Sequence, residues 1–183
     1  MKKLIVGLVM LISVAASAQN EAIGKFFSKY QDDENFSQVT ISGKMFSMMA
    51  NISGDTPDEK AMISAISKIR GLKILRKEKT RDSRALYKEA MAGVPKPFEE
   101  LMYVRDKDTD MKFFTLESGG KISELVMVMG GNDEFMLLTI FGEIDLKEIS
   151  KIGKAVNIDG LQKLNNLKDK DKDNGDNSKE KKN

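Results

Sequence analysis

The stretch MKFFTLESGGKISELVMVMGGNDEFMLLTIFGE, residues 111–143, decides the fold. It holds three apolar runs, MKFFTLE (111–117), KISELVMVMGG (121–131) and EFMLLTIFGE (134–143), separated by SGGK and GGND. Connections that short and that rich in Gly, Asn and Asp are hairpin turns. ELMYVRD (100–106) precedes them across KDTD, so the four runs read as an antiparallel meander. In the last two, apolar residues fall on both alternating sets. That predicts central strands covered on each side, or part of a packed interface.

Outward from the meander, SQVTISG (37–43) and LKILRKEK (72–79) read as two further strands. EAIGKFFSKY (21–30) sets Ile23, Phe26, Phe27 and Tyr30 at helical spacing, and KMFSMMAN (44–51) is a short helix. DTPDEK (55–60) opens another, with Thr56 as N-cap, Pro57 at N1 and Glu59 closing a capping box. Met62, Ala65, Ile66 and Ile69 form its apolar face, and Gly71 ends it. RDSRALYKEAMAGV (81–94) is a helix stopped near Gly93 by PKP. Asp145 caps the helix in GEIDLKEISKI (142–152), with Glu148 three residues on and Ile144 stapling Ile149. IDGLQKLNNL (158–167) reads as a last short helix. The fold class expected is α+β: two layers, a mostly antiparallel sheet of five to six strands with helices packed on it, in a single domain over 19–167.

The N-terminus sets the compartment. Lys2 and Lys3, the apolar run LIVGLVMLISVAA (4–16) and ASA (16–18) make a secretory signal peptide over 1–18. The run is shorter than the roughly 20 residues a membrane helix needs. Cleavage would leave 165 of 183 residues, enough for a domain with a real core. Lys2 and Lys3 account for the whole net charge of +2, so the remainder carries zero and gives no case for nucleic acid. An exported, periplasmic or envelope-associated chain without transmembrane segment is the expectation.

Absences narrow the chemistry. There is no cysteine, histidine or tryptophan. Disulfides, Ser-His-Asp triads, thiol nucleophiles and conventional zinc sites are therefore excluded.

The order of YKEA, EELMYV, ISELVMVMGG and FMLLTIFGEIDLKEISKI resembles the exported family numbered 4252 among domains of unknown function, found mainly in Bacteroidota. The resemblance covers roughly residues 21–160. It implies an envelope or exported protein and brings no activity, cofactor or catalytic residue.

Four local features were weighed for chemistry. Asp169, Asp171, Asp173 and Glu180 stand at positions 1, 3, 5 and 12 of a calcium loop. Gly175 is one place late, Asp176 replaces the aliphatic anchor and only KKN follows, so 168–183 reads as a disordered charged tail. The basic run from Lys68 to Lys88 offers Lys73, Arg76, Lys77, Lys79 and Arg81 as an anion or partner surface. Met45, Met48 and Met49 cluster but read as ordinary packing residues. Glu99, Glu100, Tyr87 and Tyr103, and the turn at Gly130–Asp133 as an anion nest, read as structural. No catalytic, cofactor or metal residue is assigned. A non-enzymatic binding domain for an envelope protein or anionic envelope component leads. The alternatives are a carboxylate-based hydrolase and a structural protein self-associating through 121–141.

Deleting 168–183 is expected to leave the melting temperature unchanged, because no residue there is hydrophobic. A drop of many degrees in a thermal melt would show that the tail is part of the fold.

Overall fold

The computed structural model describes residues 21–51, 54–155, 161 and 164. The leader-like segment 1–18, most of the helix expected at 158–167 and the tail with Asp169, Asp171, Asp173 and Glu180 lie outside them.

In chain order the elements are α1 (Glu21–Tyr30), β1 (Ser37–Ser42), α2 (Gly43–Met49), α3 (Pro57–Ser67), β2 (Ile69–Lys77), α4 (Ser83–Ala92), β3 (Glu99–Arg105), β4 (Thr109–Ser118), β5 (Lys121–Gly131), β6 (Phe135–Ile144) and α5 (Leu146–Ala155). The six strands form one open antiparallel sheet in the order β1-β2-β6-β5-β4-β3. The expected meander is thus adjacent in space as well as in sequence. β3 pairs with β4 from Glu99 opposite Thr115 to Arg105 opposite Asp110, with a bulge between Glu100 and Met102. Gly119 (φ 62) and Gly120 (φ 74) turn β4 into β5, and two successive positive φ values match the twist of the strands they join.

One boundary differs from the sequence expectation. α3 stops at Ser67, and Ile69 with Gly71 belongs to β2 rather than to the helix and its end. Inside the sheet, Gly71 meets the Ile41 carbonyl and the Phe141 ring at 3.6 Å. Sheet pairing overrides the helical spacing of Ile69.

The chain divides into two compact units. The first takes the chain up to Thr40, Lys73–Glu117 and Leu125–Thr139. Its core joins Ile23, Phe26 and Phe27 of α1 and Leu86 and Ala90 of α4 to Leu75, Phe114, Val126, Val128, Phe135 and Leu137 of the sheet. Phe26 lies 5.6 Å from Phe135, and Tyr30 4.7 Å from Phe36, between ring centroids. Each such large apolar side chain contributes about 1.5–3 kcal/mol on leaving water.

The second unit takes Ile41–Leu72, Ser118–Glu124 and the chain from Ile140 on. Here α3 packs against α2 and α5. Thr56 and Glu59 close the capping box of α3, and Asp145 accepts from the Lys147 and Glu148 amides at the start of α5. Gly142 has φ 139, and a Cβ there would sit 2.3 Å from the Lys68 carbonyl oxygen. The Glu143 amide donates to that carbonyl (3.1 Å). Only a residue without a side chain lets β6 close on the start of β2.

In urea denaturation, Thr56→Ala and Asp145→Ala are each expected to cost about 1 kcal/mol. Gly142→Ala is expected to cost about 2–4 kcal/mol, combining backbone strain with overpacking. A cost for Gly142→Ala no larger than for the caps would contradict the close approach at Lys68.

A basic groove as the candidate functional site

Within the second unit, a groove of about 420 Å³ is lined by Lys68, Arg70, Ser118, Lys121, Ile122, Ser123, Gly142 and Glu143. Strand alternation accounts for its chemistry. Ile69 is buried while its neighbours Lys68 and Arg70 are exposed. Across the groove, Glu143 accepts from Lys68 Nζ at 2.9 Å through Oε1 and from Lys121 Nζ at 2.6 Å through Oε2. Hydrogen bonds from Lys121 and then Lys68 pull the Glu143 carboxyl down to about 2. The bond to Glu143 in turn raises Lys68 above its usual value. Arg70 is exposed and forms no ion pair among the described residues. Among the described residues, three cations therefore border one carboxylate in the groove, and two of them pair with it.

The groove presents fixed charges. Glu143 is locked as an anion and has no proton to exchange near neutrality. Ser118 and Ser123 have no histidine anywhere in the chain to serve as a base.

The run singled out in the sequence is arranged differently. Lys73 lies 5.8 Å from the centroid of the Phe27 ring and Lys77 5.2 Å from that of Phe36. Their stems cover the aromatic core of the first unit. Lys77 also pairs with Asp82 (2.9 Å), while Arg76 pairs with Glu78 (2.7 Å) and Glu134 (2.5 Å). Lys79, at φ 52, turns the chain after β2, and Arg81 is exposed beyond it. Lys73 and Lys77 share a strand face and Arg76 takes the other. The head of the same run, Lys68 and Arg70, is what enters the groove. Its remaining charged members, Lys121 and Glu143, have no signal in the sequence, and the strand order β2-β6-β5 brings them in.

The other features are woven into the first unit. Asp110 accepts from Tyr103 Oη (2.6 Å), Arg105 Nε (2.6 Å) and Arg84 (2.5 Å). These bonds, Tyr103 first, pull its carboxyl down to about 2. The Tyr103 phenol is raised by the same bond, and burial raises Tyr87. Glu100 pairs with Lys112 at 2.6 Å, and Glu99 lies exposed on the same strand, so the two do not converge. Gly130 fits under Tyr87, where an added Cβ would meet the tyrosine Cβ at 2.5 Å. Gly131 bonds across its turn to the Glu134 carbonyl (2.6 Å), and neither Gly130 nor Gly131 has a positive φ. The turn is a hairpin rather than a nest, which needs a left-handed residue. Met45 and Met48 lie exposed on α2. Glu124, 3 % exposed on β5, is a buried carboxylate that the sequence reading passed over, and it engages a partner.

Among the described residues, no group of three or more His, Cys, Asp or Glu side chains is placed to hold a metal ion. None of the described helices is long and apolar enough to cross a membrane.

Fold and groove together define an α+β domain with a small basic groove. The family model described as a domain of unknown function, DUF4252, matches residues 30–152, and the chain belongs to that family. No curated protein and no solved structure matches the chain.

The pH dependence of stability follows from the carboxylates. Glu143 and Asp110 are held near 2, below their ordinary values of 4.5 and 3.8. A carboxyl lowered by folding stabilises the fold at pH above its unfolded value, and that contribution is lost as pH falls toward the folded one. The melting temperature is therefore expected to stay flat from about pH 9 to about pH 5, there being no histidine, and to fall between about pH 4.5 and 2. A transition near pH 6.5 in a melt series would contradict this.

Proposed function

We propose that the protein is a non-enzymatic binding domain, exported to the envelope of a Bacteroidota-type cell, that holds an anionic envelope component in the groove of Lys68, Arg70 and Lys121. The observation that carries this reading is Arg70, exposed and without an ion pair among the described residues, beside two lysines ordered by one shared carboxylate. A guanidinium presents a fork that matches the paired oxygens of a carboxylate or phosphate. Glu143 offsets part of the field, so a single small anion gains little and a ligand with repeated charges gains most. Export is supported by the basic, apolar and small-residue segments of 1–18. A net charge of zero outside that leader speaks against a nucleic acid partner.

Calorimetric titration with polygalacturonate and with polyphosphate tests the proposal and separates carboxylate from phosphate preference. Binding that weakens with salt is expected. Arg70→Ala should lower the affinity about fivefold, equivalent to ~1 kcal/mol, while Lys79→Ala leaves it unchanged. Binding of neither polymer, or equal binding by the Arg70 variant, would refute the groove as the site.

A further inference from the structure

The two edges of the sheet are built differently. β3 at one edge carries Glu99, Glu100 and Arg105 and is interrupted by the bulge at Glu100/Met102. Its exposed Tyr103 is tied to Asp110 and flanked by Arg105 and Lys112 at 5.2 and 4.9 Å from the ring centroid. Charges and bulges are the usual means by which an edge refuses another strand. β1, at the opposite edge, has neither charge nor proline: it reads Ser-Gln-Val-Thr-Ile-Ser. Five of its six residues are exposed, and Ile41 is half-buried. Of the four exposed large hydrophobic residues among the described ones, three (Val39, Met45 and Met48) lie within ten positions of one another along the chain, on β1 and the helix after it. Among the described residues no strand pairs with the outer side of β1.

We infer that β1 is a self-pairing edge, at which a second copy of this chain adds antiparallel to extend the sheet. The charge pattern selects this occupant. A neutral strand set against its own copy meets no like charge, and the edge offers no charge by which to select a charged partner. A two-fold axis through Thr40 keeps each side chain on its own face of the sheet. It sets Thr40 opposite Thr40 of the second copy and Val39 opposite its Ile41, a β-branched apolar pair made twice. The self-association considered from sequence at 121–141 is thereby relocated, since β5 and β6 are the two central strands and have no free edge.

Light scattering on the purified chain over a concentration series tests this. A mass rising to twice the chain mass is expected, and Thr40→Lys should hold the protein at monomer mass with an unchanged melting temperature. Because the chain has no cysteine, Thr40→Cys provides a second test: it should form an intermolecular disulfide under mild oxidation, whereas Tyr103→Cys at the other edge should not. A wild type that stays monomeric at every concentration overturns the inference. So does a dimer that persists in Thr40→Lys, or one that Thr40→Cys fails to crosslink.

Discussion

Burial of β5 and β6 on both faces is the constraint from which the other features follow. Leu125, Val126, Met127, Val128, Phe135, Leu137 and Leu138 have no solvent exposure, although consecutive residues point to opposite sides of the sheet. A chain without disulfides has burial and hydrogen bonding to hold it together, and these strands supply the largest continuous share. Strands apolar on both faces have to be internal. The more polar β1 and β3 are left at the edges, and the ionic chemistry is displaced to the strand ends. Lys121 stands at the first residue of β5 and Glu143 one residue before the end of β6. The basic groove is a consequence of where the apolar runs stop.

That logic explains what could be read in advance. The period-2 runs, the Gly-rich turns and the caps at Thr56 and Asp145 are local signals, each complete within about ten residues, and each names its element. The start of β2 was missed because Ile69 fits both a helix face and a strand, and pairing beside Gly142 decides between them. The groove was illegible for a related reason. Lys68 meets Glu143 across 75 positions of sequence, and the strand order that joins them leaves no local trace. The conspicuous basic run shows its cations in the sequence but not all of their acids. Arg76 finds its acid at Glu134, 58 positions away, so a cluster of like charge along the chain is partly neutralised in space.

Electrostatics and function meet in two carboxylates. Asp110 and Glu143 are both held ionised to about pH 2 by donors around them, the first within a network that ties β3, β4 and α4 together, the second between two lysines. Neither has the shifted, near-neutral character that acid–base catalysis requires. Both order cations. At Asp110 the ordered cations are spent on the fold, whereas at Glu143 they border an open groove beside Arg70, which has no ion pair among the described residues. That difference is why the groove, rather than the denser network, is read as the functional surface.

The most direct test of the central claim is a residue-by-residue one. Amide chemical shifts would be followed by nuclear magnetic resonance while polyphosphate is titrated into the isotopically labelled protein. The account predicts that the perturbed amides cluster at 68–70, 118–123 and 142–143. Perturbations centred instead on 73–81, or spread evenly over every surface lysine, would contradict it.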